Sequence, residues 1–406
     1  MHFIRLLLVS IFIISISCSS PTKEVKEELK VSNWRALIVN DHGKEVPFYL
    51  QVEGEGKDQV WTIINGDERM RLDDSYYEND SLHIPLLIYE AEIIVKESDT
   101  TLKGQFLRKG AYRLPFIAEK GKAPRFVDYE KATVNYTGTY AVKLGETDAI
   151  GLFNQSGDYL TGTFLTATGD YRYLEGEVDG NKMFLSSFDG VHILRFEAEL
   201  EGNRLLNGKM WSGQKSTKTW QGIKDNRAEL PDPKTLTHLK EGYDKVSFTF
   251  QNEKGDTISL DDPKYQNKVV VIQIMGSWCP NCLDESKFMA PFYEKMKDKD
   301  FEVIGLSYER SEDPEVAYKR INRMKRKLNI GYDILYAGTP SKASESLPML
   351  NKIMSFPTSI ILDKKGEVRE IHTGFSGPST GHYYEEHISE FTSLVNNLLM
   401  EHETSK

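Results

Sequence analysis

Val269 to Met275 is apolar at every position except Gln273, and the chain then runs through Gly276-Ser277 into Trp278-Cys279-Pro280-Asn281-Cys282. A strand that is apolar throughout, not at alternate residues, is buried on both faces, as in the centre of an α/β sheet. Pro280 ends any such strand, because its missing N–H and fixed φ suit the first turn of a helix. Cys279 therefore falls at a helix N-cap, where unpaired backbone N–H groups and the positive end of the helix dipole face its sulfur. Both favour thiolate over thiol, and such motifs have pKa values of roughly 3.5 to 7.5. A thiolate there attacks a disulfide, and Cys282, one turn further on, resolves the mixed disulfide that forms.

The following helix carries Cys282, Glu285, Met289, Phe292 and Met296 at steps of three and four residues, so they share one face. Glu285 is expected to point inward, with a raised pKa, and to accept the proton of Cys282. On this reading Glu285→Gln raises the apparent pKa of Cys282. Spacing alone leaves open a Glu285 that extends to solvent. Around this helix the order of elements is regular. Phe248-Thr249-Phe250 and Thr257 to Leu260 read as short strands, and Phe301 to Leu306, Ile334-Leu335, Ser359 to Leu362 and Val368 to His372 as further strands. Pro314 to Leu328 has helical spacing through Ala317, Ile321, Met324 and Leu328, and a last helix carries Tyr384, Ile388, Phe391, Val395 and Leu398. That order is the order of a thioredoxin fold.

Lys268 to Cys282, Glu285, Pro291 and Ser355-Phe356-Pro357-Thr358 resemble the TlpA/ResA-like branch of the thioredoxin superfamily, over about residues 245 to 400. The resemblance implies a protein-disulfide oxidoreductase with Cys279 attacking, Cys282 resolving and Glu285 tuning the pair. It implies that Pro357 is a cis-proline abutting the dithiol, that Trp278, Phe356 and Pro357 meet the substrate, and that Pro291 kinks the helix. Three features depart from the pattern of thioredoxin or of the wider family. Gln273 replaces a buried aspartate and cannot act as a base, Phe356 is bulky, and Pro280-Asn281 replaces Gly-Pro. A peroxiredoxin-like peroxidase needs Thr or Ser three residues before its attacking cysteine, where Gly276 stands before Cys279. A structural zinc site needs four ligands, and beyond one cysteine pair only histidines such as His372 and His382 are available. No metal or cofactor is expected.

The rest of the chain is different in kind. Arg5 and the apolar run Leu6 to Ile16 form a signal-peptide core too short to span a bilayer. Ser15-Ile16-Ser17-Cys18 resembles a bacterial lipobox, which implies cleavage before Cys18 and lipidation of its thiol. From Trp34 to about Gln221 short alternating segments and turns such as Asn65-Gly66-Asp67 predict an all-β region, a barrel or a sandwich. Gly66-Asp67-Glu68-Arg69, Tyr89 to Ile93 and Leu102 to Phe106 match Gly169-Asp170-Tyr171-Arg172, Phe196 to Leu200 and Leu206 to Met210, at offsets of 103, 107 and 104 positions. Ordered matches at near-constant offset predict a duplicated meander.

The expected organisation is a signal peptide at 1–17, a tether at 18–32, β modules at 33–125 and 126–225, a linker at 226–240 and a thioredoxin-like domain at 241–402. A net charge of −10 argues against nucleic acid. The function expected is reduction of disulfides in extracytoplasmic client proteins, recharged by a membrane thiol reductant and held at the bilayer of a bacterial envelope, facing the periplasm, through Cys18. The alternative is a ligand- or client-binding lipoprotein with an accessory redox domain, in which Trp34, Trp61, Trp211 and Trp220 line a site.

Overall fold

The computed structural model describes residues 31–54, 56, 59–86, 89–126 and 130–401, so the leader and Cys18 lie outside the described residues. The first nine strands are β1 (Val31–Val39), β2 (Glu45–Glu53), β3 (Val60–Asn65), β4 (Glu68–Leu72), β5 (Tyr76–Glu78), β6 (Ser81–Leu86), β7 (Ala91–Glu97), β8 (Thr101–Arg108) and β9 (Tyr112–Lys120). They form one antiparallel sheet in the order β4-β3-β2-β1-β9-β8-β7-β6-β5. β1 starts inside the span expected to be tether, because Val31 and Ser32 pair with Glu53 and Val52.

The next nine repeat this plan: β10 (Gly138–Leu144), β11 (Thr147–Ser156), β12 (Tyr159–Thr166), β13 (Gly169–Asp170), β14 (Leu174–Asp179), β15 (Lys182–Phe188), β16 (Ile193–Glu201), β17 (Arg204–Ser212) and β18 (Ser216–Lys224). First and last strands pair in both sheets, β1 with β9 and β10 with β18. In the second sheet β12 also pairs with both β11 and β14, which closes an eight-stranded barrel with β13 as a short extension. The first sheet stays open between β4 and β5. An open sheet cannot bury its concave face alone, and the barrel fills it: Phe188 and Ile193 join the core of the first sheet, with Phe188 4.6 Å from the Phe48 ring and 5.1 Å from that of Phe106. Arg125, fully buried between the two, donates to Pro47 O at 3.1 Å, Ile64 O at 2.8 Å, Ser186 O at 3.2 Å and Glu175 Oε2 at 2.6 Å. The four tryptophans are 0 to 6% exposed, so they are packed chiefly as core residues, and Trp34 also borders a cavity beside Tyr77 and Lys120.

The C-terminal domain opens with a short helix α1 (Pro233–Leu236) and a hairpin of β19 (Thr249–Gln251) and β20 (Thr257–Ser259). Asp232 caps α1, and Lys240 N donates to Met349 O, so the span expected to be a linker is folded onto this domain. The central sheet contains β21 (Val269–Met275), β22 (Phe301–Tyr308), β23 (Asp333–Gly338), β24 (Thr358–Leu362) and β25 (Val368–Thr373) in the order β23-β22-β21-β24-β25. β21, at its centre, is buried at all seven positions, as its unbroken apolar run requires. Helices α2 (Pro280–Met296), α3 (Pro314–Leu328) and α5 (His382–Met400) share a core with Val269, Val271, Phe301 and Val303. Val270, Ile272, Ile304 and Leu306 pack under residues 246–250 and the short α4 (Ala343–Ser346). The parallel β21–β22–β23 unit with antiparallel β24–β25 is a thioredoxin fold.

Candidate active site

β21 ends at Met275, three residues before Trp278, so a loop and not the strand itself delivers Cys279 to the N-cap of α2. A Cβ on Gly276 would stand 2.4 Å from Trp278 Nε1, so only glycine fits this approach. Glu309 holds the loop: Ser277 N and Oγ donate to its two oxygens at 2.9 and 2.8 Å, and Ser307 Oγ donates at 2.6 Å. Trp278 Nε1 donates to Tyr308 O at 2.8 Å. The sequence marked Tyr308-Glu309-Arg310 as a loop that could shape the region beside the active site, without giving Glu309 this role.

Cys279 has φ −99° and ψ 117°, an extended N-cap, and its Sγ accepts the amide N–H of Cys282 at 3.3 Å. The same sulfur donates to Phe356 O at 3.3 Å across a cis Phe356–Pro357 bond. Both cysteines are free thiols; Cys279 keeps 6% exposure and Cys282 none. Trp278 and Phe356 meet edge to face with ring centroids 5.8 Å apart, beside Cys279. The structure thus brings Trp278, Cys279, Cys282, Phe356 and Pro357 together.

Glu285 points inward and is 3% exposed. Ser359 Oγ donates to Oε1 at 2.6 Å and Gln273 Nε2 to Oε2 at 2.6 Å, while Tyr332 OH donates to Gln273 Oε1 at 2.9 Å. Gln273, which cannot be a base, instead donates to the Glu285 carboxyl and holds it in place. Burial pushes Glu285 from an ordinary 4.5 up to about 7, against the two hydrogen bonds that pull it down. Burial also pushes the Cys282 thiol well above its usual value; its contact with Cys279 and the charges of Cys279 and Glu285 add to this, and only a backbone hydrogen bond at Gly276 opposes. The effect of Glu285 on Cys282 is therefore opposite in sign to the sequence expectation, because two anions repel in this dry site. Glu285→Gln lowers the Cys282 pKa.

A stability prediction follows from Glu285. Its folded pKa is raised, so its contribution is fully present below about pH 4.5 and lost as pH rises through about 7. The advantage of Glu285→Gln over wild type should therefore grow by about 3 kcal/mol between pH 4 and pH 8 in urea denaturation. A difference that stays flat across this range contradicts a buried carboxyl at Glu285.

The β region reaches the dithiol, which the sequence did not reveal. The turn between β12 and β14 lies against the start of α2 and the segment before the cis Phe356–Pro357 bond. Asn281 Nδ2, inside the C-x-x-C, donates to Asp170 O and Oδ1 at 3.2 Å each, and Ser355 Oγ, two residues before Pro357, donates to Thr168 O at 2.8 Å. Gly377 N and Ser379 Oγ also donate to Asp170, at 3.1 and 2.6 Å. Arg172 donates to Pro280 O at 3.0 Å, pairs with Asp284 of α2 and Glu68 of β4, and lies 3.3 Å from Asp189. One buried guanidinium thus joins the open sheet, the barrel and the first turns of the cysteine-bearing helix. Its turn, Gly169 to Arg172, is one of the repeated segments and Glu68 belongs to the other, so the repeat marked these positions without their partners.

His372 and His387 lie with rings 4.3 Å apart, and burial pushes both below the usual histidine range, to about 3 and about 4. The His382 ring lies tilted 4.0 Å from that of Tyr383, and among the described residues no three His, Cys, Asp or Glu side chains are grouped to hold a metal.

Residues 242–371 match the AhpC/TSA family. Over 152 residues the chain is 28% identical to the thiol-disulfide oxidoreductase ResA of Bacillus thuringiensis subsp. konkukian, covering 37% of this chain and 78% of that protein. Over 129 residues it is 30% identical to a ResA of Bacillus cereus, covering 32% of this chain and 67% of that protein. The thioredoxin-like protein YneN of Bacillus subtilis is 26% identical over 136 residues, which cover 34% of this chain and 73% of that protein. Through its C-terminal domain, the chain belongs to the ResA-like thiol–disulfide oxidoreductases of the thioredoxin superfamily.

Proposed function

We propose that this protein reduces disulfides in client proteins outside the cytoplasm, with Cys279 as attacking thiol and Cys282 as resolving thiol. The observation that carries the reading is the Cys282 amide directed at Cys279 Sγ at the N-cap of α2, with the second sulfur buried beneath. An N–H donor and the helix dipole both favour an anionic sulfur.

In the first step the Cys279 thiolate attacks one sulfur of the client disulfide. A Cys279–client bond forms, the client S–S bond breaks, and the other client sulfur leaves as thiolate. Burial does most to hold Cys282 protonated, and Cys279 then carries no charge, so the repulsion that adds to it falls away when that thiol is needed. Cys282 gives up its proton, with Glu285 as acceptor, and attacks Cys279 Sγ. The second client thiolate leaves, and the protein holds a Cys279–Cys282 disulfide. Two electrons have passed to the client, so a membrane thiol reductant must restore the dithiol. Trp278, Phe356 and Pro357 form the surface against which the client strand lies.

Lipidation at Cys18 would keep this domain at the bilayer of the bacterial envelope, on the periplasmic side. No helix among the described residues is long and apolar enough to cross a membrane. The test is insulin reduction by the purified chain with dithiothreitol as donor. Catalysed precipitation of the insulin B chain is expected, and a rate equal to that of dithiothreitol alone contradicts the reading.

A further inference from the structure

Arg310 stands beside the dithiol on a surface that the chemistry above leaves unused. Its guanidinium lies over the Trp278 ring, 4.5 Å from the centroid, and Trp278 is the residue before Cys279. The side chain is exposed, and among the described residues no carboxylate lies within ion-pair distance of it. Glu309, its neighbour in sequence, is fully buried and saturated by Ser277 and Ser307.

A second cation comes from the β region. Arg108 ends β8, paired across the sheet with Ala91, and makes no ion pair among the described residues. Its chain neighbours Leu107 and Lys109 line a cleft of about 480 Å³ between the first sheet and α3, together with Glu90, Glu92, Lys319 and Arg320. Arg320 is neutralised by Glu90 through bonds of 2.9 and 2.6 Å, whereas Arg108 and Arg310 are not. Desolvation, together with the charges of Arg108 and Arg320, pulls Arg310 below the usual arginine range. The Arg310 guanidinium, held over Trp278 with no carboxylate paired to it among the described residues, is a charge that an anion beside it neutralises, and the charge of Arg108 adds to the same field. The chain as a whole carries a net charge of −10, so this positive corner is a local arrangement and not a general property of the surface.

We infer that Arg310 and Arg108 recognise acidic residues flanking the disulfide of a client polypeptide, with Trp278 and Phe356 taking the apolar part of the same segment. Stacking on Trp278 holds the Arg310 guanidinium in place before the client arrives, so little side-chain freedom is lost on binding. The contribution of Arg108 makes the open β sheet part of client selection, and the buried Arg172 junction fixes that sheet relative to the dithiol.

This inference rests on the proposed attack by Cys279, and the experiment separates the two. Three disulfide peptides, identical except for Glu, Gln or Lys beside their cysteines, are reduced by the full chain at low and high salt, with oxidised glutathione as a fourth substrate. The expected kcat/KM order is Glu over Gln over Lys, with Glu exceeding Lys by about tenfold at low salt and by less at high salt. Arg310→Gln and Arg108→Gln should each reduce that ratio to about threefold or less. Equal wild-type rates on all three peptides, with turnover still dependent on Cys279, overturn the inference and leave the proposed function standing. Faster turnover of oxidised glutathione than of the Glu peptide overturns it in favour of a small acidic disulfide. No turnover of any substrate removes both.

Discussion

Cys279→Ser reduces insulin turnover to the rate of the dithiol donor alone, a loss on the order of 10³-fold or more for a removed nucleophile. A serine hydroxyl at the same N-cap keeps the hydrogen bond from the Cys282 amide, and so keeps the helix start. It offers no anion near neutral pH, however, and no disulfide can form through oxygen. Cys282 does not substitute, because it is fully buried and burial pushes its thiol well above the usual value. Cys282→Ser behaves differently. It still attacks, but without a resolving thiol it stops as a mixed disulfide with the client. Substantial multiple turnover by Cys279→Ser would require another nucleophile and would contradict the assignment.

The second large effect is structural. Arg172→Met removes one cation from a site where the side chains of Arg172, Glu68, Asp189 and Asp284 are only 5, 7, 2 and 6% exposed. The three carboxylates then face one another in a dry junction with their shared partner gone. Breaking a buried pair by removing one side costs about 3–5 kcal/mol. Arg172→Lys should recover little, because a single ammonium cannot reach Pro280 O, Asp284, Glu68 and Asp189 from one position. Urea denaturation under reducing conditions should show the loss, and limited proteolysis should show cleavage near the junction. A cost under about 1 kcal/mol would mean that the β region and the redox domain do not depend on Arg172 for their union.

The C-terminal domain was legible because its signals are local. α3 was read to the residue, since Asp313 caps it, Pro314 opens it and Asn329 closes it in the left-handed region at φ 53°. The run from Val269 to Met275 announced a central strand, and Pro280 announced the helix after it. The inward face of Glu285 came from spacing, but the sign of its effect on Cys282 did not, because that depends on both groups sharing one dry volume. In the β region, alternation marked strands without stating which would pair. Closure of one sheet rests on β12 bonding β14, and no local pattern distinguishes this from the open arrangement of the first sheet. Arg172 and Glu309 were missed for a related reason: each matters through partners distant in the chain.

The most direct measurement is the order in which the two thiols react. Brief treatment of the reduced, folded chain with limiting iodoacetamide, followed by peptide mapping, reports the modification of each residue. Cys279 should be alkylated first, while the fully buried Cys282 stays protected until the chain is unfolded. Modification of Cys282 ahead of Cys279, or of both at equal rates, would contradict it.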